Sequence, residues 1–433
     1  LRLKCILINP WVYDFAAMNL WSRPLGLLKV AEYMSRFDID LKLIDCTEIF
    51  KEKQYGTGKY PYEVVEKPEV LKPVPRRFKR YGMATEEFKE RFKNQLPCDF
   101  VFVTSLMSYW YPGVQSAIEL VRSLSPHTPV ILGGIYATLY HKHAGEHSGA
   151  DFIYRGRINE GIKFALQTFG FRLREKSTPR PYYKLNLYSA YPFAPLLTSE
   201  GCPYRCSYCA SAVLSGRFVQ RSPSEVVTEI RELYDAGVRD YAFYDDALLV
   251  NKDSHIKVVL KELVESGLHV RFHCPNGLHA GLIDDELAYL MRRSGFTTLR
   301  LSLETVDEKR QAATGGKVTR EQLVSAVRIL KKHGFGKEHI GVYLMYGLPG
   351  QPLEEVKEGV EFLKTLGVRI NLTEFSPIPG TQCWEELKEQ GVITDDIDPL
   401  VTNNTVFSLL FSDYDWDKLE ALKQDVKKYN RSG

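Results

Sequence analysis

The sequence predicts an α/β chain in two halves: a parallel, doubly wound sheet, then six strand–helix units that read as a partial barrel, (β/α)6, with a small C-terminal extension. Three observations predict it. Apolar, β-branched runs alternate with segments of helical spacing along most of the chain. The alternation lapses over about 159–192 and begins again at Pro195. A length of 433 residues suits about two or three domains rather than one.

In the first half, residues 5–9 (CILIN), 41–45 (LKLID), 100–104 (FVFVT), 130–132 and 152–154 read as strands, with helices over 25–37 and about 114–124. This is the pattern of a Rossmann or flavodoxin-type sheet, whose ligands sit beyond the carboxyl ends of the strands. Residues 51–95 interrupt it with a long polar insertion holding YGTGKYPY and PVPRRFKRYG. Structureless loops of that length are uncommon and usually functional or disordered. There Arg76, Arg77, Lys79 and Arg80, with Phe78 and Tyr81, form either a grip for an anionic group or a solvated loop packed on its aromatics.

A helix and linker, 161–193, join the halves. In the second half, strands are expected near 195–198, 241–244, 270–273, 298–303, 341–346 and 371–375. Helices fall around 224–236, 254–266, 284–294, 320–333 and 353–366. Active residues in such barrels project from the carboxyl ends of the strands. The domains that follow are 1–160, the linker, 194–385, and an extension over 386–433 in which 416–427 reads as a helix.

Composition narrows the class. The chain is 44% hydrophobic and 26% charged, an ordinary globular balance. A net charge of +3 gives no electrostatic argument for a nucleic-acid or membrane partner. No apolar stretch reaches the roughly 18–20 residues of a membrane span. LRLKCILINP reads as a buried first strand rather than a signal peptide. Eight cysteines in a chain this long are too sparse for a secreted disulfide scaffold. Together these predict a cytoplasmic protein.

The chemistry concentrates in SEGCPYRCSYCA, directly after the first strand of the second half. Cys202, Cys206 and Cys209 have the spacing C-x3-C-x2-C. Thiolates are the natural ligands of iron–sulfur clusters and a cubane takes four, so three leave one iron open. An open iron can chelate the amino and carboxylate groups of S-adenosylmethionine and pass an electron to its sulfonium. A structural zinc site is the alternative. Zinc wants a closed shell of four, and the nearest further ligands, His273 and Cys274, lie two strands away.

On these residues, about 195–380 resembles the radical S-adenosylmethionine superfamily. The resemblance implies a 4Fe-4S cluster on the three cysteines and S-adenosylmethionine beside it. It also implies contacts: Tyr208 to adenine through its backbone, and Tyr244-Asp245-Asp246 where the family has a Gly-Gly-Glu that receives the methionine amino group. Either Asp245 or Asp246 then replaces that glutamate. Ser302 and Glu304 in RLSLET match a position reaching the ribose or methionine, Asn276 is a ribose candidate, and Gly347 in YGLPG matches a turn near adenine. Each polar residue among them also has an ordinary reading as a turn or cap. Cys383, after the sixth strand, is either a thiol at the barrel mouth, a catalytic candidate that quenches a substrate radical, or a packed helix-start cysteine.

A Rossmann-like domain ahead of such a barrel resembles the cobalamin-binding radical S-adenosylmethionine proteins. The matching pieces are Ser105, Ser108 and Tyr109 after the third strand, and Gly133, Gly134, Ile135 and Ala137 in ILGGIYATLY after the fourth. Gly156 and Glu160 in YRGRINEG fall where the family has a Gly-Glu-Gly-Glu-like turn, from which Arg157-Ile158-Asn159 departs. Small residues there let a corrin approach the backbone. No Asp-x-His-x-x-Gly motif is present, so a bound cobalamin is expected without a protein histidine below cobalt. His141, His143 and His147 read as surface histidines.

The resemblance implies methylation, cyclisation or rearrangement at an unactivated carbon of a small-molecule or lipid substrate. An external electron donor such as a flavodoxin or ferredoxin is the expected partner, with no clear nucleic acid. The alternatives are a radical enzyme that uses S-adenosylmethionine alone, a methylthiotransferase with a second cluster on Cys5, Cys46 and Cys98, and a non-catalytic sensor. The second cluster is disfavoured because Cys5 begins its strand and Cys98 precedes the third, at the opposite ends from Cys46, and because the basic C-terminal RNA-binding barrel expected there is missing. No DNA-reading module supports the sensor.

Overall fold

The computed structural model describes residues 2–156, 158, 160–176 and 185–432. Arg157 and Asn159 of the YRGRINEG turn, and the side chain of Glu160, lie outside the described part. The chain divides into two units, Leu1–Tyr191 with Thr394–Val406, and Pro192–Ile393 with Phe407–Gly433.

The first unit is built on five parallel strands: β1 (Leu3–Asn9), β2 (Ile39–Asp45), β3 (Phe100–Val103), β4 (Val130–Leu132) and β5 (Phe152–Ile153). Their order across the sheet is 2-1-3-4-5. β1 is an interior strand, buried from Cys5 to Asn9, which is why it reads as a continuous apolar run. Leu27, Ala31 and Met34 of helix Leu25–Met34 pack with Leu7, Phe100 and Ile131 into one core cluster.

The insertion at 51–95 is ordered, contrary to the expectation of a structureless loop. Val12–Asp14, Lys79–Tyr81 and Tyr62–Val64 form a three-stranded antiparallel sheet. A hairpin pairs Lys51–Gln54 with Thr57–Lys59, and Thr85–Lys93 is a helix. Trp11, 1% exposed, packs with the Phe88 ring at 4.9 Å and with the Arg80 guanidinium at 5.1 Å. Arg80 also pairs with Glu63 at 3.1 Å, and the Lys79 ammonium lies 4.4 Å from the Tyr62 ring. Phe78 is buried while Arg76 and Arg77 are exposed. Lys79 and Arg80 are thus spent on packing rather than gathered into an anion grip.

The second unit carries six parallel strands in sequential order: β6 (Ala194–Leu196), β7 (Asp240–Phe243), β8 (Arg271–His273), β9 (Phe296–Glu304), β10 (Ile340–Tyr346) and β11 (Arg369–Glu374). Capping boxes at Ser222/Glu225 and Thr319/Gln322 start two of the intervening helices. Gly267 and Gly295, both at positive φ, end two others. A Cβ on Gly295 would stand 2.2 Å from the carbonyl oxygen of Val270. The last helix, Trp416–Arg431, lies along the edge strand β11. There the Asn430 amide accepts from Ile370 N at 3.0 Å and donates to its carbonyl at 2.8 Å, satisfying one exposed edge position.

A buried polar network ends β1 and β2. Asp45, 1% exposed, accepts from Asn9 Nδ2 at 2.7 Å, from the Thr47 amide and hydroxyl at 2.8 Å, and from Tyr188 OH at 2.6 Å. The buried Arg23 guanidinium stands 3.9 Å from Asp45 and 4.3 Å from the Tyr188 ring. The Tyr188 hydroxyl donates to a charged acceptor away from water. Tyr188→Phe is therefore expected to lower stability by about 1.5–3 kcal/mol, read as a lower urea midpoint at unchanged slope.

Candidate functional site

The cysteine loop leaves β6 and is closed at its base by a two-residue ladder, Ser199–Glu200 against Val219–Gln220. Asp245, two residues beyond the end of the neighbouring β7, staples that base. Its carboxylate accepts from the Thr198 amide at 3.1 Å, Thr198 Oγ1 at 2.7 Å and Ser199 Oγ at 2.6 Å. Gly201, at φ +78°, turns the chain where a Cβ would meet the Gly216 and Arg217 carbonyls at 3.2 Å.

Two further loops hold the cysteines. The Ser207 amide donates to Thr314 O at 3.3 Å, and the Ser207 carbonyl accepts from Cys383 N at 2.9 Å. Gly315, at φ +114°, lies so close that a Cβ would come within 3.1 Å of the Cys206 Cα. The Cys383 thiol is buried against Ser207 Oγ at 3.3 Å, in the first turn of helix Gln382–Glu389. Its surroundings are those of a packed helix-start cysteine, and burial pushes its pKa up.

Cys202, Cys206 and Cys209 are half-buried and line one cavity of about 590 Å³. Among the described residues, no three Cys, His, Asp or Glu side chains close around the position of a single ion, as a tetrahedral zinc would require. The cavity also receives Tyr208, Asp246, Asn276, Ser302, Glu304 and Lys317. Eight of the sequence-predicted residues, the three cysteines with Tyr208, Asp246, Asn276, Ser302 and Glu304, are thereby brought together.

Asp246 and Asp245 separate cleanly. Asp246 lines the cavity and accepts from Ser211 Oγ at 2.9 Å, and that hydroxyl is also 3.3 Å from Cys209 Sγ. Burial raises the Asp246 pKa, with Ser211 and Lys317 opposing. Asp245 is 4% exposed and fully engaged at the loop base. Asn276 Nδ2 donates to the carbonyls of Tyr244 at 2.9 Å and Asp245 at 3.3 Å, tying the ends of β7 and β8 together. Tyr244 contributes that carbonyl and not a cavity wall.

Glu304 ends β9 in an unusual backbone. The register with β10 shifts between Ser302 and Glu304, and Glu304 has φ +67°. The Thr305 amide donates to Leu303 O at 2.9 Å, closing a three-residue turn around it. That hand of turn is rare and strained for a side-chain-bearing residue, and such strain costs about 1–3 kcal/mol. Burial raises the Glu304 pKa, while Lys317, Ser302 and Tyr208 pull it down.

Gly347 is not brought to this cavity. It lines a second one of about 520 Å³ with Phe407, Phe411 and Tyr414, and its amide donates to Tyr414 OH at 3.0 Å. In the first unit, Ser105 O accepts from Ile135 N at 3.0 Å, and a Cβ on Gly134 would stand 2.7 Å from Ser105 O. Ser105, Gly134 and Ile135 thus lock the loops after β3 and β4 to each other. Ser108, Tyr109 and Ala137 are buried. Gly133 has nothing nearer than 3.9 Å around an added Cβ, and Gly156 nothing within 4 Å, so these two face open space.

Lys317 escaped the reading of the sequence. It follows Gly315 and Gly316, both at positive φ, just ahead of the Thr319 cap. Among the described residues it has no carboxylate in ion-pair distance, and its ammonium stands 5.8 Å from the Tyr204 ring. Two successive glycines before a lysine were the available signal. Tyr343 and Thr373, which line the cavity from β10 and β11, carried none.

Comparison with known proteins agrees with this geometry. Residues 196–363 match the family model of the Radical SAM superfamily. An uncharacterised methyltransferase of Pyrococcus horikoshii is 29% identical over 45% of this chain, a match taking in only 42% of that protein's own length. The cytidylyl-2-hydroxyethylphosphonate methyltransferase of Streptomyces wedmorensis is 22% identical over 90% of this chain and 82% of its own. The radical S-adenosylmethionine methyltransferase TsrM from Kitasatospora setae, solved with cobalamin and a [4Fe-4S] cluster bound, shares the fold. Its TM-score is 0.65 at 17% identity, over 90% of this chain and 75% of that one. The chain carries a radical S-adenosylmethionine domain, whose cofactors are a four-iron, four-sulfur cluster and S-adenosylmethionine.

Proposed function

We propose that this chain is a cobalamin-dependent radical S-adenosylmethionine enzyme that methylates an unactivated carbon of a small-molecule or lipid substrate. The observation that carries the radical chemistry is the cavity itself. Three thiols from one loop share it with two carboxyls and a lysine that, among the described residues, has no carboxylate in ion-pair distance. Cys202, Cys206 and Cys209 would hold the cluster. Asp246 is suited to accept from the methionine amino group and Lys317 to pair with its carboxylate. Ser302, Glu304 and Asn276 line the remaining wall and would hold the nucleoside end, with Tyr208 beside the third cysteine.

When bound, the reduced cluster supplies the electron that cleaves a carbon–sulfur bond of S-adenosylmethionine to a 5′-deoxyadenosyl radical, and cobalamin supplies a methyl carrier. The electron would come from an external donor such as a flavodoxin or ferredoxin. This chain's own contribution is to fix the zwitterionic end of the nucleoside beside the thiols and to exclude water with half-buried walls.

For the first unit, a Rossmann-type, cobalamin-holding role is supported by the strand order 2-1-3-4-5, which opens a crevice beyond the carboxyl ends of β1 and β3. Gly133 and Gly156, with open space around them, supply close backbone approach. The absence of an Asp-x-His-x-x-Gly string fits a cobalamin without a protein ligand below cobalt. Methyltransferase names among the relatives favour methylation over rearrangement. One observation favours a second reading, in which S-adenosylmethionine acts alone and this unit is a scaffold: the Ser105 carbonyl is taken within the fold by Ile135 N.

The test is anaerobic reconstitution with iron, sulfide and hydroxocobalamin, followed by gel filtration and metal analysis. About four irons with about one cobalt per chain are expected, and dithionite should release 5′-deoxyadenosine from S-adenosylmethionine. Iron without cobalt supports the second reading, and no nucleoside release contradicts both. Cys202→Ala should abolish release. Gly315→Ala, which forces a side chain at positive φ against the Cys206 backbone, should lower retained iron while leaving far-ultraviolet circular dichroism unchanged.

A further inference from the structure

Glu304 keeps its left-handed backbone only if its neighbours hold it there. The residue that follows it, Thr305, is fully buried. Its carbonyl accepts from Gln311 Nε2 at 2.7 Å, its hydroxyl accepts from Asp307 N at 3.2 Å, and the same hydroxyl donates to the Glu355 carboxylate. Glu355 lies on another element, helix Leu353–Thr365, with its side chain 9% exposed. It is not a wall of the cysteine cavity.

Glu355 gathers more than Thr305. Arg310 Nε donates to both of its oxygens, at 3.1 and 3.0 Å, and Gln351 Nε2 donates to one at 3.0 Å. Arg310 then spans to the turn after β10, donating to Pro349 O at 2.8 Å and Gly350 O at 3.0 Å. Gln351 Oε1 accepts from Leu348 N and from Tyr414 OH, both at 3.3 Å. Arg310 sits on the short helix Glu308–Ala313, which leads directly into Thr314, Gly315 and Lys317. One buried carboxylate therefore ties the strained end of β9, the run carrying Lys317, and the turn after β10.

We infer that Glu355 is a positioning residue for the S-adenosylmethionine cavity, acting through Thr305 to hold Glu304 in the left-handed conformation that turns its carboxyl into the cavity. This deepens the proposed function and rests on it. Without the anchor, residue 304 relaxes toward extended backbone. Its carboxyl is then no longer fixed on the wall, while the cysteine loop stays held by Asp245 and Cys383.

The probe is S-adenosylmethionine itself, its dissociation constant measured by equilibrium dialysis against reconstituted protein with the cluster oxidised, so that no cleavage occurs. Thr305→Val removes the hydroxyl at constant shape and should weaken binding about tenfold. Glu355→Gln should do the same, and Glu355→Asp should recover part of the loss. Iron content should match the unsubstituted chain in all three. Glu358→Gln, at an exposed ion pair on the same helix, should change nothing.

A double-substitution cycle separates positioning from general loosening. In a Glu304→Gln background, Thr305→Val should add almost no further loss. Unchanged binding in Thr305→Val and Glu355→Gln overturns the inference, as does full additivity with Glu304→Gln. If the unsubstituted protein fails to retain S-adenosylmethionine, the proposed function falls and takes the inference with it. Retention by that protein with unaffected variants sinks the inference alone.

Discussion

A loop that offers three thiols to one cluster must be rigid without being filled, because side chains packed inside it would occupy the space the cluster needs. The grip on Ser207 meets that constraint from outside. Thr314 takes its amide, Cys383 takes its carbonyl, and Gly315 lets a second backbone lie against Cys206 with no side chain between. The base of the loop is fixed separately by Asp245 through three donors on Thr198 and Ser199. Secondary structure within the loop is minimal, so its shape is inherited from the ends of β6, β7, β9 and β11. The rest of the cavity depends on that inheritance.

Charge completes the arrangement. Burial disfavours ionisation of Asp246 and Glu304, and each is drawn back toward the charged form by Lys317. The lysine has two carboxyls in electrostatic range yet pairs closely with neither, which leaves its ammonium for an incoming anion. A zwitterion is the ligand class such a field suits, since its two ends can meet opposite charges in one cavity. Adjacent acidic residues take different duties because strand geometry sends them apart: Asp245 turns toward β6, Asp246 toward the cavity.

Much of this was legible in the sequence. The strands of both sheets are runs of Val, Ile, Leu and Phe long enough for period and composition to agree, as in CILIN and FVFVT, and the cysteine spacing names its chemistry. What escaped was set by tertiary context. Nothing local distinguishes Asp245 from Asp246. The insertion looked unstructured because its strands are about three residues each, so hydrophobic alternation has no room to show. Arg80 and Lys79 read as a basic cluster, yet Trp11 and Tyr62, distant in sequence, claim them. Gly347 matched a family turn, and only the returning tail with Tyr414 placed it in a different cavity. The stretch Thr394–Val406 rejoins the first unit, a topology that periodicity cannot reveal.

The central claim is that one iron of a cluster on Cys202, Cys206 and Cys209 is open to S-adenosylmethionine. Electron paramagnetic resonance of the reconstituted, dithionite-reduced protein tests it most directly, with spectra taken before and after adding S-adenosylmethionine. The account predicts a reduced four-iron signal whose g values shift on addition and do not shift with adenosine alone. A cluster signal indifferent to S-adenosylmethionine, or no cluster signal from protein that holds iron, would contradict it.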